Sequence, residues 1–137
     1  EGNPLLPNRS LVFWPYSELA DVRFTLQHDY IELTTDPKLG PFKVGGYTSF
    51  GWAAAQIGEW LLIKRFTPHL LDIRLDLGAN LEAYTTHTFL ELETLGELRT
   101  LSEGEGVLHK ETWEVVPGRL ENLDAAGKLT TFDWDLP

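Results

Sequence analysis

Two glutamates spaced two apart, Glu91 and Glu93, lie in the run His87-Thr88-Phe89-Leu90-Glu91-Leu92-Glu93-Thr94-Leu95-Gly96. Alternate side chains of an extended chain share a face, so His87, Phe89, Glu91 and Glu93 project together while Leu90 and Leu92 point the other way. The carboxylates then sit roughly 7 Å apart at Cα, from a rise of ~3.4 Å per residue. At that spacing like charges repel and raise one pKa, which is what a general acid or base working near neutrality requires. His87, four residues before Glu91 on the same face, would complete a proton-handling set. The same alternation of Glu and Leu also describes a solvated strand face, the common setting for carboxylates.

A second polar row, Asn80, Glu82, Tyr84 and Thr86, occupies one face of the preceding segment. Asn and Glu side chains grip vicinal hydroxyls, and Tyr offers its ring as well as its OH; a wet face fits this row too. The chain carries five tryptophans. Trp14-Pro15-Tyr16 falls at a strand end, where a ring is available as a stacking platform for a sugar. Trp52 and Trp60 read as core, Trp113 is in phase with His109 and Glu111, and Trp134 lies between Asp133 and Asp135. Core packing is the usual fate of a Trp, whose ring buries ~150–250 Å².

Other chemistries are excluded or unsupported. Lys plus Arg number 11 against 21 Asp plus Glu, a net charge of −10, and Lys64-Arg65 is the only adjacent basic pair, so nucleic acid and anionic membrane surfaces are poor partners. A neutral ligand is not repelled by such a field. The absence of cysteine removes disulfides, thiolate zinc sites and cysteine nucleophiles. No local His-x-His, His-x-x-x-His or His-x-x-Glu spacing suggests a metal, the EF-hand spacing is missing, and neither a Gly-x-Ser-x-Gly elbow nor a phosphate loop occurs. No cofactor is expected. No apolar run exceeds that of Trp60-Leu61-Leu62-Ile63, far short of the ~18 residues of a membrane span.

The elements that must position these residues are strands. The chain has 137 residues, 42% of them hydrophobic and 23% charged, which suits one compact domain, residues 1–137. Period two dominates: Val22 to Gln27 and Tyr30 to Thr34 read as a hairpin across His28-Asp29. Phe42 to Ala55 reads as extended, broken at Gly45-Gly46 and bulged at Gly51. Trp52–Gln56 and Trp60–Phe66 form a second expected hairpin, with a short helix at Ala53-Ala54-Ala55 as the alternative. Leu70 to Leu77, Leu81 to Leu95 with a bend near Thr85-Thr86, Glu97 to Leu101, Val107 to Val116 and Leu129 to Trp134 are the remaining expected strands. Turn signals recur about every ten residues, so the expected class is all-β, an antiparallel β-sandwich.

Gly78-Ala79-Asn80-Leu81-Glu82-Ala83-Tyr84-Thr85, Phe89 to Gly96, Leu101-Ser102-Glu103-Gly104-Glu105, and His109 with Glu111-Thr112-Trp113 resemble the C-terminal half of galactose mutarotase-like (aldose 1-epimerase-like) proteins. The likeness runs from about Leu11 to Val115 and is closest to an uncharacterised branch that also carries a Trp-Pro-Tyr stretch. It implies part of a large antiparallel supersandwich with a sugar cleft on one concave sheet. It also implies that Glu93, in the Leu-Glu-Thr position, corresponds to the glutamate that acts as general base at the anomeric hydroxyl. The family's histidines lie in an N-terminal half without a counterpart here. The chain is therefore expected to be a fragment of a longer protein, or a reduced relative that completes its sheet by pairing with a second copy as a homodimer. The leading expectation is a carbohydrate-binding domain using Asn80, Glu82, Tyr84, Glu91, Trp14, Tyr16 and Trp113. The alternatives are an epimerase-like isomerase with Glu93 as base and His87 or His109 as acid, and a non-binding structural domain.

Overall fold

Short runs of aromatic, β-branched and other apolar residues, punctuated by Gly, Pro and Asp turns, fold into strands throughout. A computed structural model describes residue 5 and residues 9–69 and 75–130. The described residues form nine strands: β1 (Leu11–Phe13), β2 (Phe24–Leu26), β3 (Ile31–Leu33), β4 (Phe42–Gly46), β5 (Trp52–Ile57), β6 (Trp60–Phe66), β7 (Leu81–Thr85), β8 (Leu90–Thr94) and β9 (Glu111–Pro117). Single 3₁₀ turns lie at Asp76–Gly78 and Leu120–Asn122, and no α-helix occurs among the described residues. The chain is all-β and sandwich-like, as its alternation predicts, and every strand pairing is antiparallel.

One sheet has the order β1-β4-β7-β8 and another the order β5-β6-β9, while β2 and β3 form a hairpin of their own. The β5–β6 hairpin is thus inserted between two strands, β4 and β7, that are neighbours in space. Phe42 and Val44 share one face of the first sheet with Leu81, Ala83, Leu90 and Leu92, by the pairing register. At its edge Phe13, Phe24 and Phe42 meet ring to ring, with centroids 5.5, 5.6 and 6.4 Å apart. Arg23, only 4% exposed, lies over the Phe42 ring and is neutralised by Asp21 at 2.8 Å. In the second sheet Leu61 and Ile63 are buried, and Gly118 lets Leu129 close over Leu61 because a Cβ there would come within 3.2 Å of both. Each fully buried side chain of this size contributes about 1.5–3 kcal/mol.

Several element boundaries differ from expectation. β4 ends at Gly46, so the expected break at Gly45-Gly46 falls at the end of the strand, and Gly45 lacks a side chain where Ala79, Glu82 and Trp14 crowd it. The chain leaves the sheet at 47–51, and Gly51 (φ 69°) turns it toward β5. The expected hairpin of β5 and β6 is present, turning at Gly58 (φ 61°) and Glu59. Leu81 to Leu95 is not one bent strand but two, β7 and β8, reversed through residues 86–89. Glu97–Leu101 forms no strand, and β9 starts at Glu111 instead of Val107. Of the Leu70–Leu77 expectation, residues 70–74 lie outside the described residues, and Asp76–Gly78 is a 3₁₀ turn with Asp76 and Leu77 at positive φ. The Leu129–Trp134 expectation lies outside the described residues from 131 onward.

Candidate functional site

The reversal between β7 and β8 merges the two polar rows into one surface. Glu82 pairs with Glu93 and Tyr84 with Glu91, while Lys43 of β4 pairs with Tyr84. Residues in register across antiparallel strands share a face, so Lys43, Glu82, Tyr84, Glu91 and Glu93 all project from the side opposite the apolar layer. Lys43 Nζ stands at the centre, 2.6 Å from Glu82 Oε2 and 3.0 Å from Glu93 Oε2.

The Trp14–Ser17 turn supplies the rim. The Ser17 hydroxyl donates to the Lys43 carbonyl (2.7 Å) and accepts from the Lys43 N–H (2.9 Å), while the Ser17 N–H closes the turn on the Trp14 carbonyl. The turn is thereby fastened to β4, and the Trp14 ring lies 4.7 Å from Lys43 Nζ. The absent side chain at Gly45 leaves room for that ring, since a Cβ there would lie 3.3 Å from Trp14 Cη2. Tyr16 meets Tyr84 edge-on at 6.4 Å, and Tyr84 lies 5.9 Å from Phe89. Tyr16 (45%) and Phe89 (47%) keep about half of their surfaces in solvent.

The charges are strongly coupled. Burial pushes the Glu82 carboxyl above the usual range, and Lys43 only partly opposes this. Burial also acts to raise Glu93, but the Lys43 ammonium and the hydrogen bond with Glu91 outweigh it and hold Glu93 low. The hydrogen bond with Glu93 raises Glu91. Burial acts to lower Lys43, but Glu82 and Glu93 outweigh it, and the ammonium stays charged. The face therefore holds an ionised acceptor, Glu93, between two carboxyls that retain protons more readily. Glu82 Oε1 is buried without a hydrogen-bond partner.

The remaining sequence candidates lie elsewhere. Asn80 is fully buried, and its amide is spent on the backbone of the loop after β4: Thr48 N–H donates to Oδ1 at 2.8 Å and Nδ2 donates to the Thr48 carbonyl at 2.9 Å. It fastens that loop and is withdrawn from any ligand. His87 is exposed in the 86–89 turn, because β8 begins only at Leu90. His109 is not beside Glu93: its Nε2 lies 2.7 Å from Thr94 Oγ1, and Thr94 projects from the opposite face of β8.

That opposite side carries a network that sequence reading did not assemble. Lys64, 6% exposed, reaches Glu111 Oε1 at 2.9 Å and the Leu92 carbonyl at 2.8 Å, tying β6 to the free edge of β8. Thr94 Oγ1 also donates to Glu111, and Trp113 Nε1 donates to its other oxygen at 2.7 Å. Burial acts to raise Glu111, but these donors together outweigh it and pull the carboxyl down to about 2. Trp113 thus serves this bridge, with its ring 5.0 Å from Lys64 Nζ and 62% of its surface exposed. A cleft of about 290 Å³ opens beside the bridge, lined by His69, Glu97, Arg99, His109 and Lys110 among others. It shares no residue with the Lys43 face. Among the described residues, no group of three or more His, Asp and Glu side chains converges in a way that could hold a metal ion.

Lys43 itself was missed by sequence reading. Its signal was a lone charge between the apolar residues Phe42 and Val44, in a strand that had to lie centrally. Comparison of the chain with protein-family models, with curated proteins and with solved structures gives no match.

Proposed function

We propose that the β4–β7–β8 face is a carbohydrate-recognition surface. The observation that carries this reading is the convergence of Glu91 and Glu93 with the rings of Trp14, Tyr16, Tyr84 and Phe89 on one side of one sheet; Glu82, only 2% exposed, is withdrawn from direct contact with a ligand and acts through Lys43. Carboxylates accept hydrogen bonds from vicinal hydroxyls, and partly exposed rings take the apolar faces of a pyranose. The resemblance to galactose mutarotase-like proteins supports the same surface, because its Leu-Glu-Thr glutamate, Glu93, lies at the centre.

A second reading, an aldose 1-epimerase-like isomerase, is favoured by the electrostatics: an ionised Glu93 stands next to Glu91, whose proton is held more tightly. Glu93 would take the anomeric hydroxyl proton. Glu91 would supply the acid, because His87 lies in the turn before β8 and His109 bonds Thr94 on the opposite face.

The test is calorimetric titration with a panel of mono- and oligosaccharides, with α/β anomer exchange followed by NMR in parallel. Binding that weakens about tenfold or more in Tyr84→Ala, without faster exchange, supports recognition. Accelerated exchange that disappears in Glu93→Gln supports the isomerase. Heat from no sugar, with no acceleration, removes both and leaves a structural domain.

A further inference from the structure

We infer that the sugar taken by the Lys43 face carries a positive charge, an amino sugar whose ammonium is seated at Glu91 and Glu93. This rests on the carbohydrate reading and deepens it. Three carboxylates, Glu82, Glu91 and Glu93, share the face with one ammonium, Lys43, which bonds one oxygen of Glu82 and one of Glu93. With Glu91 and Glu93 ionised the face is one charge short of balance, and two short when the buried Glu82 is ionised as well.

The buried end of the cluster points the same way. The Glu82 side chain is only 2% exposed, yet its Oε1 has no donor. A buried carboxylate oxygen without a donor is costly. Lys43 has three N–H groups but divides them between two carboxylates. A ligand ammonium that satisfies Glu93 releases Lys43 to turn both remaining donors toward Glu82. Binding of a cation at the open end thereby completes the hydrogen bonding at the closed end.

The rings add to this preference. The rings of Tyr84, the cross-strand partner of Glu91, and of Phe89, two residues before it, attract an ammonium through their quadrupoles while stacking on the sugar ring. The net charge of −10 raises the local concentration of cations around the whole molecule.

The test compares D-glucosamine, N-acetyl-D-glucosamine and D-glucose near neutral pH and low salt by calorimetry, with cyclohexylamine as an amine lacking hydroxyls. The expected result is glucosamine binding about tenfold tighter than both neutral sugars, a difference of about 1.4 kcal/mol. Glu91→Gln should shrink that preference to about twofold. Glu91 is exposed and lies outside the Lys43 ion pairs, so the variant keeps the fold. Equal binding of all three sugars overturns the inference and leaves the carbohydrate reading standing. Cyclohexylamine binding as tightly as glucosamine overturns both, because the hydroxyls then contribute nothing. Silence from all four also overturns both.

Discussion

Lys43 holds two like charges together. It is 16% exposed by side chain and bridges Glu82 and Glu93 at 2.6 and 3.0 Å. Replacing it with Met leaves two carboxylates facing each other across β7 and β8, and a broken buried pair typically costs about 3–5 kcal/mol. Lys43→Met should lower the urea midpoint accordingly, and Lys43→Met/Glu82→Gln should recover a large part of the loss. A double variant no more stable than the single one would contradict this ion-pair assignment. Glu111 makes a separate prediction. Its pKa falls from 4.5 to about 2 on folding, so its stabilisation is complete above the unfolded value and drains away as pH drops through that window. That contribution is about 3 kcal/mol by linkage. Chemical denaturation between those pH values should show the slope in the native protein and a flatter one in Glu111→Gln. Glu82 has the opposite sign, since its carboxyl is raised by burial and its contribution falls as pH rises.

At the scale of elements, the hairpin of β7 and β8 makes the site, and this is where the sequence was hardest to read. Period-two alternation revealed the strands, the two faces and both rows of polar residues. It did not reveal the reversal, because Thr85-Thr86-His87-Thr88 contains neither Gly nor Pro. The threonines take the part those residues usually play: Thr86 Oγ1 lies 3.2 Å from Thr88 Oγ1, Thr85 Oγ1 bonds the Thr86 and Phe89 carbonyls, and Thr86 N–H donates to the Phe89 carbonyl at 3.0 Å. Without that turn Glu82 and Glu93 read as eleven positions apart instead of opposite each other. The Gly45-Gly46 break marks the end of β4, but its glycines gave no sign that Gly45 also serves close packing. Gly45→Ala places a methyl 3.2 Å from Ala79 Cβ and 3.3 Å from Trp14 Cη2. It should cost about 1–3 kcal/mol by overpacking and shift Trp fluorescence as the ring moves off Lys43; an unchanged spectrum would contradict this placement of Trp14. Asn80→Ala strips both backbone partners from Thr48 and should destabilise by about 1–3 kcal/mol. Hydrogen exchange in the 47–51 loop should rise selectively.

For the molecule as a whole, charge and exposed surface act in opposite directions. Ile57, Trp60, Trp113 and Val115 lie on one face of the β5–β6–β9 sheet and are 70, 53, 62 and 63% exposed. They adjoin β9, the outer strand of that sheet among the described residues; the homodimer expected from the sequence would have to pair there against a net charge of −10 per chain, which drives copies apart. Sedimentation should therefore show a monomer at low salt and a dimer as screening increases, with Val115→Glu abolishing the dimer. A mass independent of salt would remove the homodimer proposal. The all-β class and acidic character were readable from composition and spacing, whereas the union of distant strands into one charged face is a property of topology.

The most direct test of the carbohydrate reading is chemical-shift mapping of the ¹⁵N-labelled protein titrated with D-glucosamine and with D-glucose. The expected result is a saturable shift of the Trp14 indole together with the amides of Lys43, Tyr84, Glu91 and Glu93, with Trp52 and Trp113 unmoved. Shifts confined to the cleft around His69 and His109, or none at all, would contradict the assignment of the Lys43 face as the sugar site.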